Sequence, residues 1–496
     1  MNTLIVMMMI ILVITVMLIR TTRKKTKNKP LAAGPRGVPL LGNLLQFDKS
    51  NTLSYLQNLS HNYGPVALLR HGSTPIRVVS SAALAKQILK THDNKPSVLG
   101  QQKLSYGGAD IAFSPHNPHW KEMRRLCALH LFSPAKLASF RPVREAQVAR
   151  MMATLQARCS AANLSELAMS LASNIICGVA FGRTYDDDEY EKKKLDKLVL
   201  EAQALMVSFY FSDHLRVFSW VDKLSGLLGR LDTNFDELDA FYQQLIDEHI
   251  HPSSSQINSE TKQDILHHMI QLKRQKPDSI TWDHIKALLM NLFVAGTDTV
   301  AAAIVWTMTG LMLRPAIMKK TQEHIRQAIG CKKQGEMIEE DELEKLPYLK
   351  AVVMEALRLY PPAPLLYRIE QQSQSIDGYE IEEGTTFIIN AWAIARDPEN
   401  WEDPDEFMPE RFIVGSDWEL RMLPFGGGRR GCPGMGMGMI ATHLALANLL
   451  YSFDWALPPS APAIDTDALP GLTMHKKNPL ILLPIVPSCF TSSPIN

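Results

Sequence analysis

The sequence predicts a mainly α-helical fold with a small β-rich lobe. Three observations carry that expectation. From Phe140 to about Ile270 apolar residues recur at 3.6-residue spacing. A second apolar stretch, from about Asp283 to Leu313, is continuous enough for one long buried helix. Strand-like alternation is confined to Tyr63–Val79 and Tyr379–Asn390. With 496 residues, 46% of them hydrophobic, the chain has ample material for a large core. Its formal net charge of +1 gives no reason to expect a nucleic-acid partner. The six cysteines have no framework spacing, which fits a reducing compartment rather than a disulfide scaffold.

In chain order, Leu4–Ile19 is an apolar run of about the length that crosses a bilayer with its flanks. Arg20, Arg23, Lys24, Lys25, Lys27 and Lys29 follow it. No basic segment precedes the run and no small-residue cleavage site follows, so the pattern reads as an uncleaved anchor with the remainder of the chain cytosolic. Pro30–Pro39 is a stiff extended linker because proline fixes φ. Residues 1–20 are thus expected to be a single-pass anchor, 21–43 a basic stretch and proline-rich hinge, and 44–496 the main folded domain.

Val66–Arg70 and Ile76–Ser80 read as strands around a turn, and Ala82–Lys90 as a helix. Lys95–His119, rich in Gly, Pro and Ser, reads as a long loop. Trp120 and Arg124 then stand at i and i+4 on one helical face. The long apolar helix has Thr281 as its cap, Asp283 at its positive end and Pro315 beyond it, and spans roughly 45 Å. Asp298 at its centre argues against a second membrane span. Pro347–Leu359 is a further helix, with Glu355 and Arg358 at i,i+3.

The most informative stretch is Phe425-Gly-Gly-Gly-Arg-Arg-Gly-Cys432-Pro-Gly434. Its glycines allow close approach of a flat body to the backbone, its arginines can fork onto carboxylates, and its cysteine has no Cys-x-x-Cys partner. A thiolate at the following helix start is favoured by the helix dipole. The stretch resembles the heme-binding signature of the cytochrome P450 family at Phe425, Gly428, Arg430, Cys432 and Gly434. Ala295-Gly296-Thr297-Asp298-Thr299 is similar to that family's oxygen-activation motif, although Val300 stands where Thr or Ser is frequent. Glu355-x-x-Arg358 with Arg411 of Pro409-Glu410-Arg411-Phe412 resembles its structural ion-pair triad.

The resemblance implies a cytochrome P450 fold holding heme b, with the Cys432 thiolate on the iron. Thiolate donation is the property that suits such a heme to O–O cleavage. It implies that Trp120, Arg124, Arg368, Phe425 and Arg430 bind the cofactor, and that Asp298 and Thr299 handle protons and oxygen. Gly296 would leave room for dioxygen. Leu104, Tyr106, Ile111, Phe113, Ala295, Gly296, Leu365, Leu366 and Leu472 are implied pocket residues. Ile369 separates Arg368 from Glu370, where plant relatives often have the pair adjacent, which leaves the register at Arg368 open.

The activity implied is insertion of one oxygen atom of O2 into an apolar small molecule: a terpenoid, alkaloid or phenolic, in that order. The motif wording resembles the plant endoplasmic-reticulum group. No dinucleotide fingerprint is present, so NADPH would act through a membrane-bound NADPH-cytochrome P450 reductase, with cytochrome b5 as a second donor. Lys121, Arg125, Arg429 and Arg430 would form a basic docking face. Two other classes fit a heme thiolate. A redox-independent isomerase or dehydratase is opposed by the intact Asp298-Thr299, and a heme carrier or sensor by the lid loop and apolar pocket segments.

Overall fold

The computed structural model describes residues 33–487 apart from short stretches, of which 252–263 is the longest. The expected anchor, the basic stretch that follows it and most of the polar loop at 251–255 lie outside the described residues.

Helix starts follow the capping side chains in the sequence. Ser81 accepts from the amide of Leu84 to open α2 (Ala82–Thr91), which follows α1 (Thr52–Tyr63). Asn117 accepts from the amide of Trp120, and Pro118 occupies the first turn of α3 (Pro118–His130). The predominantly helical stretch after Phe140 includes α4 (Arg141–Gln156), α5 (Leu164–Phe181) and α6 (Leu227–Ile250). The long helix is α7, Trp282–Met312, opened by a capping box between Thr281 and His284. α8 covers Pro347–Leu359, and α9 covers Met435–Ser452 immediately after the cysteine loop.

α5 and α7 are each long and apolar enough to cross a bilayer. Their most apolar windows are 67% and 72% buried inside the fold, which makes them core helices. They pack closely enough that a Cβ on Gly296 would meet Cδ1 of Ile176 at 2.4 Å.

The β-rich lobe contains β1 (Val66–His71), β2 (Thr74–Val79), β3 (Leu365–Ile369) and β4 (Thr386–Asn390), in the order β1-β2-β4-β3. β2 and β4 run parallel, and the other pairs are antiparallel. Two local expectations change. The strands on either side of Glu382-Glu383-Gly384 do not pair with each other: Tyr379–Ile381 pairs with Gln374–Ile376, while β4 is claimed by β2 and β3. The long loop after α2 contains a helical turn, Leu99–Leu104, sealed by Leu104 in the core.

Near the C-terminus, β5 (Ala468–Leu469) pairs antiparallel with β6 (His475–Lys476). β6 lies against α7 because the indole N–H of Trp306 donates to the Met474 carbonyl at 2.7 Å.

Candidate functional site

The cysteine loop is shaped by glycine where no other residue fits. Gly428 has φ +63°, and a Cβ there would sit 2.1 Å from the carbonyl oxygen of Leu89 in α2. Gly426, at φ +68°, makes the turn after Phe425. The loop closes on itself where the Cys432 amide donates to the Phe425 carbonyl at 2.9 Å. Burial pushes the Cys432 thiol up, while the Gly434 N–H and the Arg124 charge favour its thiolate. Cys432 is nevertheless exposed. α9 then runs past α7, with Gly438 packed beside Val300, next in sequence to Thr299.

Three guanidiniums converge on this loop. Arg124 of α3 donates to the Gly431 carbonyl. Arg430 donates to the Ser114 carbonyl at 2.6 Å and lies 4.0 Å from the centre of the Trp120 ring. Arg368 of β3 donates to its neighbour's carbonyl at 2.7 Å, and its buried Nε has no hydrogen-bond partner. Burial lowers the basicity of all three, to about 10 for Arg368 and Arg430. Arg430 adds to the effect on Arg368, and Arg124 to that on Arg430, by like-charge repulsion. Buried mutual repulsion of this kind is relieved by an anion. β3 carries Arg368 opposite Phe387 in an unbroken ladder, so Ile369 does not shift the register. Glu370 instead accepts from buried His92 at 2.6 Å.

The Ala295–Thr299 motif lies on one short stretch of α7. Asp298 is 2% exposed and Thr297 is buried, whereas Ala295 is exposed and Gly296 and Thr299 are partly so. Thr299 donates to the Ala295 carbonyl at 2.8 Å, a bond it would have to exchange to act on a ligand. Nε2 of His475 stands 2.5 Å from Oδ1 of Asp298, in ion-pair range but outside hydrogen-bond alignment.

Glu355, Arg358 and Arg411 meet in the core. Arg358 makes a bidentate bond to Glu355, both distances 2.8 Å, with both side chains fully buried. The carbonyls of Ala395, Pro404 and Glu406 take its remaining donors. Arg411 reaches Glu355 at 3.2 Å, and the Met408 amide donates to the same carboxylate at 2.7 Å.

Several expected placements change. The Trp120 indole N–H is spent on the Ile111 carbonyl at 3.0 Å, so Trp120 supports Arg430 and the loop rather than offering a donor of its own. Ile176 occupies the Cβ direction of Gly296, which makes this glycine a packing requirement of the α5–α7 contact. The Tyr106 hydroxyl donates to Asp239 of α6 at 2.9 Å, which Lys286 of α7 also holds at 2.8 Å. Leu104 and Ile111 are buried in the main core, with Phe113 and Leu472 packed against it. Leu365 and Leu366 pack against different apolar clusters on the two sides of the sheet. Arg430 turns inward and leaves the basic surface to Lys121, Arg125 and Arg429, of which Arg125 is paired with Glu122.

Sequence reasoning missed Asp110 and His475. Asp110 is fully buried, accepts from the amides of Phe113 and Ser114 and from Asn291, and favours the charge of Arg430. An Asp followed by Ser four residues on is an Asx-type loop signal that was available.

A thiol at a glycine-shaped loop, three inward guanidiniums and an open stretch of α7 together define a heme-thiolate site. The donor set suits heme b: Cys432 for the iron, and Arg124, Arg368 and Arg430 for its two carboxylates.

Residues 32–483 match the Cytochrome P450 family model, and the chain belongs to the cytochrome P450 family of monooxygenases. Family members bind heme b and receive electrons from NADPH through a reductase. The chain is 42% identical to 6,7,8-trihydroxycoumarin synthase of Pastinaca sativa, over 93% of this chain and 94% of that one. It is 39% identical to strychnine-11-hydroxylase of Strychnos nux-vomica, over 93% of each. A zebra fish cytochrome P450 solved with progesterone superposes with a TM-score of 0.74 at 26% identity, covering 87% of this chain and 99% of that one.

Proposed function

We propose that this monooxygenase inserts one oxygen atom of O2 into an apolar plant specialised metabolite with a fused aromatic ring system of the coumarin type. The relative named as a trihydroxycoumarin synthase supports a phenolic ahead of the terpenoid that the apolar pocket first suggests. An alkaloid is the second reading, favoured by the relative named as a strychnine hydroxylase. The observation that carries the oxygenase reading is that α9, which starts at the Cys432 loop, packs beside α7 at Val300, next to the accessible Ala295 and Thr299.

Bound heme supplies the oxygen-activating chemistry. The chain's own residues supply the rest. Arg124, Arg368 and Arg430 orient the cofactor by its carboxylates, Cys432 ligates it, and the Glu355–Arg358–Arg411 cluster holds the surrounding frame. Thr299 positions a proton on the open face, and Asp298 resupplies it. Phe425 packs against the main core beside the cysteine, and Leu104, Ile111, Phe113, Leu365, Leu366 and Leu472 shape the apolar surroundings.

Residues 1–20 serve as a single-pass anchor in the endoplasmic-reticulum membrane, 21–43 as basic stretch and hinge, and 44–496 as a cytosolic catalytic domain. The electron donor is the membrane-bound NADPH-cytochrome P450 reductase, with cytochrome b5 as an accessory, docking on Lys121, Arg125 and Arg429.

The test uses the full chain in microsomes with that reductase and a panel of coumarins, alkaloids and terpenoids. A coumarin product one oxygen heavier, dependent on NADPH and O2, is expected. Product formed without NADPH would establish the isomerase alternative instead. In the same assay Thr299→Ala should lower product per NADPH and raise hydrogen peroxide. Unchanged coupling would remove Thr299 from the proton path.

A further inference from the structure

The carboxylate of Asp298 presents a problem that its own helix does not solve. It lies in the middle of α7 at 2% exposure, and its Oδ1 has no aligned donor among the described residues. A carboxylate in that position is costly while charged and, by itself, has no route to exchange protons with water. The group that touches it comes from a distant part of the chain. Nε2 of His475 is 2.5 Å from Oδ1, and the histidine side chain remains 27% exposed. His475 therefore contacts both the buried acid and the solvent.

Its placement is built. Trp306 lies two turns beyond Asp298 on α7, and its indole N–H fixes the Met474 carbonyl at 2.7 Å. The Met474 amide donates to the Pro362 carbonyl at 2.8 Å. The next residue, His475, is thereby delivered to Asp298, and pairing with Leu469 holds the strand flat. Alternation along a strand sends Lys476 to the other side, where it binds Asp465 at 2.8 Å. The charged group that faces the imidazole is thus Asp298 from α7, while Lys476 is turned away onto Asp465. Ala468 and Leu469 of β5 contribute none.

We propose that His475 is the proton-supplying positioning residue of this enzyme, acting through Asp298. Imidazole is suited to this because it has two ring nitrogens and titrates near neutrality. A proton taken from water onto Nδ1 gives the imidazolium. The proton on Nε2 passes to Oδ1 of Asp298, leaving the neutral Nδ1–H tautomer and a neutral carboxyl. The carboxyl then releases its proton toward the Thr299 side of α7, and the imidazole re-equilibrates with solvent. Heavy atoms and electrons are unchanged, and one proton moves inward per cycle. The inference rests on the reading of Asp298 and Thr299 as the proton path.

The experiment compares wild type, His475→Gln, His475→Lys, Asp298→Asn and Asp298→Asn/His475→Gln as full-length holoproteins. Product per NADPH and hydrogen peroxide are measured from pH 6 to 8.5, with one turned-over coumarin as probe. The midpoint of thermal unfolding is followed over the same range in substrate-free resting protein, a readout independent of turnover. In wild type, coupling should fall as pH rises. His475→Gln should lower product per NADPH by about three- to tenfold and flatten its pH profile, and His475→Lys should not restore that profile. The pair should be non-additive in the unfolding midpoint, because the two side chains are in direct contact. A His475→Gln protein with wild-type coupling and an unaltered pH profile would overturn the proposal. So would full additivity of the two substitutions in the unfolding midpoint. Failure of the underlying reading is distinguishable, because Thr299→Ala would then leave coupling unchanged. Loss of coupling in Thr299→Ala but not in His475→Gln would defeat this proposal alone.

Discussion

Two arginine clusters in this protein use the same side chain to opposite ends. In the Glu355–Arg358–Arg411 cluster the donors of Arg358 end on the Glu355 carboxylate or on main-chain carbonyls, and a carboxylate lies between the two cations. In the Arg124–Arg368–Arg430 cluster the bonds run to main-chain carbonyls and an indole face, one buried Nε has no hydrogen-bond partner, and neighbouring charges lower each other's basicity. The first cluster is complete in the folded chain and stabilises it. In the second, burial lowers the basicity of the guanidiniums, and on the reading proposed above the carboxylates of heme would complete it. The difference separates scaffold from binding site more sharply than residue type does.

Removing the anion from the closed cluster should have the largest effect. Glu355→Ala leaves Arg358 buried and uncompensated, a change that costs about 3–5 kcal/mol. A fall of that size in denaturant-unfolding stability is expected, with loss of heme as a consequence of unfolding. A variant with wild-type stability would show that the two clusters do not differ in this way.

A smaller effect, on the order of 3 kcal/mol at the acid limit, is expected from a buried base outside both clusters. Burial lowers His443 of α9 to about 4, helped by the Lys350 charge, and its Nε2 lacks a hydrogen-bond partner. Its folded pKa lies below the unfolded value, so the neutral form is favoured by folding. That contribution is present above about pH 6.5 and is lost as pH falls toward 4. Stability measured from pH 8 to 4 should decline less steeply in His443→Gln than in wild type. An identical acid limb would assign the decline to other groups.

The smallest effect on folding belongs to the open cluster. Arg368→Met removes a buried, poorly partnered cation, so the heme-free chain should keep its stability to within about 1 kcal/mol. Heme affinity should fall about tenfold, equivalent to ~1.4 kcal/mol. Lowered stability of the heme-free chain with unaltered heme affinity would make Arg368 a scaffold residue like Arg358.

What was legible in the sequence divides along similar lines. Glu355 and Arg358 stand three residues apart on a helix, and helical geometry alone puts them in contact. The strain of the cysteine loop is visible in its glycines, because Gly426 and Gly428 take positive φ and Gly428 has no space for a Cβ. The cap at Thr281 marked the start of α7 to within a residue or two. The Asp298–His475 contact had no local signal, since it depends on where Trp306 pins a loop from the far end of the chain. Tyr106 and Trp120 were assigned to a ligand because aromatic residues in a lid loop or beside an arginine are general-purpose. Their polar atoms are taken by Asp239 and by the Ile111 carbonyl, neither of which sequence spacing ties to them. At Gly296 the sequence shows that a side chain is missing but not which neighbour lies in its Cβ direction.

The central claim is that the open cluster exists to hold the carboxylates of heme. It is tested most directly by comparing binding of heme b with binding of its propionate dimethyl ester, which keeps the ring and iron but removes both charges. The wild-type chain should bind heme b at least tenfold more tightly than the ester, and Arg368→Met should narrow that preference while leaving ester binding nearly unchanged. Equal affinity of the wild-type chain for the two, or a preference that Arg368→Met leaves intact, would contradict the account.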